Sequence, residues 1–213
     1  MKSLILKDLY NITHNIRSLL LILVVFAIAF IPTSGASGYV FASAVLCSMM
    51  IVTTFSFDDF SKWTRYALVM PISRKELVAG KFIVLMIFSA AGSLFGAAVS
   101  ILGTMILKGY SFSIIGEALL SASAALALSL IMGSISIPLV FRFGAENART
   151  LLLASFLIPS GLLFCIYKLL TVMGVALTEG LIIILLGISP LIAIAWCYLM
   201  YRISYCIFRR QEL

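Results

Sequence analysis

A run of forty residues without a charged side chain, from Ser18 to Phe57, limits the folds open to this chain. One straight helix of that length would measure about 60 Å at 1.5 Å per residue, which is roughly twice the thickness of the hydrocarbon core of a bilayer. The turn-forming segment 32–38 (PTSGASG) interrupts the run. The pattern therefore predicts two membrane-spanning helices, near residues 18–31 and 39–57, joined by a short loop.

The composition of the whole chain indicates that its solvent is lipid. Of its 213 residues, 63% are hydrophobic and 11% are charged, whereas soluble domains contain about half apolar and a quarter charged residues. A chain this short cannot bury such an excess inside a water-soluble core. Further apolar runs predict spans near 77–107, 112–141, 150–172 and 181–207. The expected fold is an all-α integral membrane protein with six transmembrane helices, which form a single domain over residues 1–213.

Residues 1–17 precede the first predicted span and have helical periodicity. Apolar residues recur along one side, at Ile5, Leu9, Ile12 and Ile16. This arrangement is typical of an amphipathic helix that lies in the membrane interface. The alternative is that these residues are the irregular beginning of the first span.

Basic residues lie almost entirely at one end of the predicted bundle. Six spans place both termini on the same side, and thirteen of the fifteen lysines and arginines fall on that side, with only Lys108 and Lys168 toward the other. The positive-inside rule therefore predicts that both termini are cytoplasmic. The same distribution accounts for the net charge of +7. Because no separate basic domain exists, we expect no nucleic-acid partner.

The polar residues form none of the common catalytic or metal-binding motifs. His14 is the only histidine in the sequence. No His-Glu-x-x-His or Cys-x-x-Cys pattern occurs, and no Gly-x-x-x-x-Gly-Lys-Ser/Thr phosphate loop is present. The sequence therefore predicts no catalytic residue, no metal site and no bound cofactor. Any ATP-driven process would use a nucleotide site on another subunit.

Two features lie inside the predicted spans themselves. Glu117 and Lys168 fall near the outer ends of the fourth and fifth spans. Their side chains either extend to the outer interface, or, for Glu117, contact a substrate or a gate. In the third span, Gly92-Ser-Leu-Phe-Gly96 is a small-xxx-small pattern that predicts close packing between helices.

The segment from Phe57 to Lys81 carries the densest charge in the chain. Asp58 and Lys62 have the i,i+4 spacing of an acid followed by a base on a helix, and Pro71 predicts the end of a short surface helix. Ser73 and Glu76 have the spacing of a capping box that would begin the third span. The alternative is an ordinary cytoplasmic loop whose aromatic residues, Trp63 and Tyr66, anchor it at the interface.

This segment resembles the cytoplasmic loop of the ABC-2 type permease family, in particular its small six-span bacterial members. The family pattern is an acidic pair, Lys-Trp, Pro-x-Ser-Arg, and then a valine and a lysine that begin the next helix. In this sequence these positions are Asp58-Asp59, Lys62-Trp63, Pro71-Ile72-Ser73-Arg74, Val78 and Lys81. The segment Leu6-Lys7-Asp8-Leu9 is similar to the opening helix of the family. Asp59 and Phe82 depart from the pattern, because the family more often has Glu and Tyr there.

The resemblance implies the membrane subunit of an ATP-binding-cassette exporter in a bacterial plasma membrane. Two permease chains, as a homodimer or heterodimer, would pair with two separate ATPase chains that bind ATP and Mg²⁺. The segment 58–76 would supply a short cytoplasmic coupling helix that docks on the ATPase. The residues implied in this coupling are Asp58, Asp59, Lys62, Trp63, Arg65, Tyr66, Pro71, Ser73, Arg74, Lys75, Glu76 and Lys81.

Within that set, the aromatic residues Trp63 and Tyr66 are expected to anchor the coupling helix. The cations are expected to meet acidic groups of the ATPase, namely Lys62, Arg65, Arg74 and Lys75. Whether Asp58 and Asp59 face the partner or pair within the loop stays open.

The resemblance does not select a cargo. Family members are associated with peptides, antibiotics and other amphipathic compounds, and the short external loops predicted here fit such cargo. One alternative is a small integral membrane enzyme that holds Mg²⁺ on Asp58-Asp59. Another is a secondary transporter or channel that uses the same loop.

Overall fold

The computed structural model describes residues 2–13, 15–63, 66–67, 73–108, 112–144, 148–172 and 179–209. Within these ranges the long regular elements are all α-helices, in agreement with the predicted all-α class. They are α1 (Lys2–Thr13), α2 (Ile16–Phe60), α3 (Arg74–Lys108), α4 (Phe112–Phe143), α5 (Ala148–Val172) and α6 (Glu179–Arg209). Between α2 and α3, Trp63, Tyr66 and Ala67 are also helical.

Helix α2 is broken at Gly35, where φ is +80° and ψ is 171°. Only glycine adopts this backbone conformation readily, because a Cβ would be strained there. Leu19 and Leu23, before the break, cluster with Cys47, which follows it. The two parts of α2 therefore run antiparallel, and the predicted break within residues 32–38 is confirmed. The break is a single non-helical residue, Gly35, and no longer loop separates the two parts.

Five helical segments of the described residues are long and apolar enough to cross a membrane. They are Ile16–Thr33, Ser37–Phe60, Arg74–Ile106, Ile114–Phe143 and Leu185–Arg209. These segments correspond to the first four predicted spans and the sixth. Helix α5 occupies the predicted fifth span, but many of its side chains lie outside the described residues, so the count of six is not confirmed.

Helix α4 lies at the centre of the bundle and packs against α2, α3, α5 and α6. Its middle is rich in alanine, serine and glycine, which lets neighbouring backbones approach closely. A Cβ added at Gly133 would overlap the Leu85 side chain of α3. The Ser136 hydroxyl donates a hydrogen bond to Ser155 Oγ of α5 over 2.9 Å. Small side chains and hydroxyl contacts thus replace the hydrophobic effect that drives packing in soluble proteins.

The second part of α2 packs against α3 along a face of small residues. A Cβ added at Gly92 would lie 2.6 Å from Cys47 Cβ, and one added at Gly96 would overlap Ser43 Oγ. The Ser43 hydroxyl also donates a hydrogen bond to the Gly92 carbonyl over 3.1 Å. The close packing predicted from the Gly-x-x-x-Gly pattern is therefore confirmed.

Aromatic side chains join four helices at the end of the bundle where α2 ends and α3 begins. Phe55 of α2 meets Phe141 of α4 edge-on, with ring centroids 5.0 Å apart. Phe141 also lies 4.9 Å from Phe208 of α6, and Phe82 of α3 lies 5.8 Å from Tyr201 of α6. Contacts of this kind stabilise the fold beyond the area that the rings bury. The polar segment that follows α2 therefore lies next to a well-packed aromatic cluster.

Candidate functional site

Four charged side chains from three helices form a buried charge network at this end of the bundle. Its members are Lys7 and Asp8 of α1, Asp58 of α2 and Lys81 of α3. Lys81 Nζ lies 2.7 Å from Asp58 Oδ2 and 3.0 Å from Asp8 Oδ2. Lys7 Nζ pairs with Asp58 Oδ1 and, at 3.3 Å, with Asp8 Oδ1. The two bases balance the two acids, so the network carries no formal net charge.

Lys81 is the most enclosed member of the network, with 3% of its surface exposed. An ammonium group has three protons to donate, and three oxygens surround this one. Two belong to Asp8 and Asp58, and the third is Thr54 Oγ1 at 3.1 Å. The ammonium also lies 4.8 Å from the centroid of the Phe55 ring. A buried charge is tolerated when its partners satisfy it in this way.

Lys7 extends the network to the segment that follows α2. Its ammonium lies 4.6 Å from the centroid of the Trp63 ring, which is a cation–π distance. The half-buried Trp63 ring also packs against the main hydrophobic core. Trp63 is therefore held between α1 and the core, close to the point where the chain leaves α2.

The sequence left open whether Asp58 faces a partner or pairs within the loop. In the structure its carboxylate points inward, toward α1 and α3. One oxygen faces Lys7 and the other faces Lys81, so both are occupied by lysines, an arrangement unlike a Mg²⁺ site. The predicted pair between Asp58 and Lys62 is not formed among the described residues. Helix α2 ends at Phe60, and Lys62 has a left-handed φ of +50°, which removes it from the helical face that carries Asp58.

The predicted capping box at the start of α3 is confirmed. The Glu76 backbone N–H donates a hydrogen bond to Ser73 Oγ, and the Ser73 backbone N–H donates one to Glu76 Oε2, both over 3.2 Å. These bonds satisfy amide groups that have no partner within the helix. The start of α3 is thus fixed at Arg74.

Arg74 and Lys75 differ in their surroundings although they are neighbours. Arg74 Nη1 donates hydrogen bonds to the carbonyls of Phe208 and Arg209 at the end of α6, both over 3.0 Å. Lys75 is exposed, and its ammonium lies 5.6 Å from the centroid of the Tyr205 ring. Arg74 therefore connects α3 to α6, whereas Lys75 faces outward.

Close to Asp58 in the sequence, three side chains are exposed, and we call them the exposed loop face: Phe60, Lys62 and Tyr66. Phe60 is 89% exposed and Tyr66 is 63% exposed, and Lys62 is exposed as well. Asp59 is also exposed, next to Phe60. Of the remaining predicted coupling residues, Arg65 and Pro71 lie outside the described residues.

Lys7, Asp8 and Phe60 were not predicted as site residues from the sequence. The predicted apolar side of the first helix also needs correction, because the buried residues of α1 are Leu4, Asp8 and Ile12. A carboxylate on the buried side is tolerated because Lys81 neutralises it. Leu4, Asp8 and Ile12 have the i,i+4,i+8 spacing of one helical face, but the burial of that face depends on the packing of α1 against α2 and α3.

Glu117 of α4 and Lys168 of α5 are both exposed. Because α2, α3 and α4 run alternately up and down, Glu117 lies at the end of the bundle opposite the charge network. No contact shown by the described residues tests the expected gating or substrate role of Glu117, which stays a prediction.

Together, the long apolar helices and the polar site at one end define a multi-pass α-helical membrane protein. The sequence profile of the family described as "ABC-2 family transporter protein" matches residues 3–209. The chain therefore belongs to the ABC-2 transporter family, which confirms the resemblance seen in the sequence. It is a membrane permease domain without an ATPase site of its own, and the family implies an ATPase partner. A comparison with individual curated proteins gave no match.

Proposed function

We propose that this chain is the membrane-spanning permease subunit of an ABC exporter in a bacterial plasma membrane. It forms six spans with both termini in the cytoplasm and pairs with a second permease chain. A separate ATPase hydrolyses ATP, and the permeases export a peptide, an antibiotic or another amphipathic compound. The observation that carries this proposal is the buried charge network, which holds the segment after α2 against α1 and α3 in a chain of this family.

In the proposed mechanism, the ATPase contacts the exposed loop face of Phe60, Lys62 and Tyr66. Phenylalanine and tyrosine are enriched in the cores of protein interfaces, and tyrosine is enriched among the residues that dominate binding energy there. Lys62 adds a positive charge at the edge of this surface, where a charge mainly speeds association with an acidic partner. The complementary surface on the ATPase is acidic and contains an apolar groove for the two aromatic rings.

Motion of the loop face reaches the spans through the charge network. Displacement of the loop moves the Trp63 ring, which contacts Lys7. Lys7 and Lys81 share the Asp58 carboxylate, so α1, the end of α2 and the start of α3 move as one unit. Closure of the ATPase dimer on ATP would in this way change the separation of the spans that line the export path.

The test is to reconstitute the permease with its ATPase and measure ATP hydrolysis. We expect the wild-type permease to stimulate hydrolysis. Titration of the ATPase with a Phe60→Ala, Tyr66→Ala variant is expected to show an affinity that is about tenfold or more weaker, because each anchoring residue contributes about 1 kcal/mol or more. The matched control is Tyr10→Ala, Phe143→Ala, which removes two exposed aromatic residues elsewhere, one on α1 and one on α4. Full stimulation by the loop-face variant, or no stimulation by the wild type, would refute the proposal.

A further inference from the structure

A cavity of about 420 Å³ lies at the same end of the bundle, between the start of α3 and the last three turns of α6. Its described lining contains three cations, three tyrosines and a cysteine, and no carboxylate. The residues are Lys75, Tyr198, Tyr201, Arg202, Tyr205, Cys206 and Arg209. The volume falls within the range of about 300–1,000 Å³ that is usual for small-molecule sites.

Neighbouring contacts hold part of the cavity lining in place. The Tyr201 ring packs edge-on against Phe82, with centroids 5.8 Å apart. The Lys75 ammonium lies 5.6 Å from the centroid of the Tyr205 ring. The end of α6 is connected to α3 by the hydrogen bonds of Arg74. The cavity thus has three cations in a lining whose helices are joined by these contacts, which suits an anionic group.

The cavity continues into an apolar strip along the same side of α6. Tyr198 at its rim, Ile194 and Leu191 have i, i−4 and i−7 spacing, so they lie on one face of the helix. They are 62%, 45% and 68% exposed, respectively. At 1.5 Å per residue, Leu191 lies about 16 Å farther along the helix axis than Arg202. The surface therefore offers a cationic site for a headgroup and an apolar strip for a chain.

We propose that this cavity binds the headgroup of an anionic phospholipid, with one acyl chain along Tyr198, Ile194 and Leu191. Basic pockets between helices at the cytoplasmic side of a membrane recognise such headgroups through their phosphate. The tyrosine hydroxyls donate further hydrogen bonds to phosphate oxygens. A lipid fits better than an acidic segment of the ATPase, because the apolar strip runs away from the loop face toward the middle of the bilayer. The proposal rests on the proposed cytoplasmic orientation of this end of the bundle, and it is independent of the exporter's cargo.

The wild-type chain contains its own probes for a first experiment. Cys206 lines the cavity, whereas Cys165 on α5 is exposed away from it. In detergent micelles, added phosphatidylglycerol is expected to slow modification of Cys206 by a membrane-permeant maleimide about fivefold or more. Modification of Cys165, which lies within the apolar helix α5, is expected to be unchanged. Phosphatidylcholine at the same mole fraction is expected to slow neither. Equal protection by both lipids, or equal protection by inorganic phosphate, overturns the proposal.

A second experiment compares the phosphatidylglycerol affinity of three variants, each of which replaces two arginines. Arg202→Gln, Arg209→Gln is expected to lose about 25-fold in affinity, which is about fivefold for each cation removed. The matched control is Arg17→Gln, Arg142→Gln, which removes two exposed arginines outside the cavity and is expected to retain affinity. The charge-preserving Arg202→Lys, Arg209→Lys variant is expected to retain most of it.

Two other results of this experiment would contradict the lipid site. Equal losses in the cavity pair and the control pair would mean that binding follows overall charge. If the Arg202→Gln, Arg209→Gln variant kept its lipid affinity but no longer bound the ATPase, the cavity would be a protein-docking site. If the Arg202→Gln, Arg209→Gln variant fails to fold, two measurements still decide the question. They are the protection of Cys206 by lipid in the wild-type chain and the lipid affinity of the Arg202→Lys, Arg209→Lys variant.

Discussion

Asp58 Oδ2 lies 2.7 Å from Lys81 Nζ, and this ion pair connects the end of α2 to the beginning of α3 inside the protein. Both residues are almost fully buried, at 4% and 3% exposure. An ion pair at a solvated surface is weak and easily broken, whereas breaking a buried pair leaves an uncompensated charge. The joint between the two helices is therefore stiff, which is the property that transmission of a movement from the loop to the spans requires.

Replacement of Asp58 by Asn removes one of the two acids that balance Lys7 and Lys81. We expect the free energy of unfolding to fall by about 3–5 kcal/mol, because a buried charge is left without its partner. The matched control is Asp59→Asn at the neighbouring exposed position, where a change of about 0–1 kcal/mol is expected. Unfolding in mixed detergent micelles measures both values. Similar losses of unfolding free energy in the two variants would show that the buried ion pairs of Asp58 do not stabilise the protein more than an exposed carboxylate does.

A double-mutant cycle between Asp58 and Lys81 tests whether the network acts as a unit. Asp58→Asn or Lys81→Gln alone leaves unequal numbers of acids and bases, but the double variant keeps the balanced pair of Lys7 and Asp8. We therefore expect the double variant to lose less stability than the sum of the single losses, with a coupling of about 1–3 kcal/mol. Additive losses in the same unfolding measurement would contradict the arrangement of the network.

Features set by neighbouring residues were predictable from the sequence. The capping box of Ser73 and Glu76 spans three residues, and the Gly35 break lies in a cluster of turn formers. Gly92 and Gly96 are one turn apart on the same helical face. In each case the spacing alone specifies the local geometry.

The charge network was not predictable in the same way. Lys7 and Asp58 are 51 residues apart, and Asp58 and Lys81 are 23 apart. No local pattern states which faces of three helices meet, and a charged residue near the end of a span usually contacts water. Asp58 and Lys81 were therefore recognised as polar positions of the loop, but their burial and their partners follow from the packing of the whole bundle.

Gly96→Ala tests the close contact between α2 and α3. The added methyl group would overlap Ser43 Oγ, and overpacking of this kind costs about 1–3 kcal/mol. The control is Gly116→Ala on α4, where a Cβ would meet nothing within 4 Å and where alanine favours the helix by about 0.5–1 kcal/mol. We expect opposite changes in unfolding free energy. A stabilised Gly96→Ala variant would show that the helices can separate without loss.

Arg74→Gln tests the connection between α3 and α6. The last carbonyls of a helix have no partner within it, and Arg74 supplies two of them, those of Phe208 and Arg209, with charged donors. A positive charge at this end also interacts favourably with the helix dipole. Without Arg74, we expect the last turn of α6 to open more often and its amides to exchange with deuterium about five- to tenfold faster.

The control for this experiment is Arg142→Gln, which removes an exposed arginine near the end of α4. It is expected to leave exchange in α6 unchanged. Arg74→Lys should give an intermediate rate, because a lysine keeps the charge but lacks the planar fork of donors that serves two carbonyls at once. Unchanged exchange in Arg74→Gln would mean that packing of the Phe208 ring, which is 1% exposed, holds the end of α6 without help from the arginine.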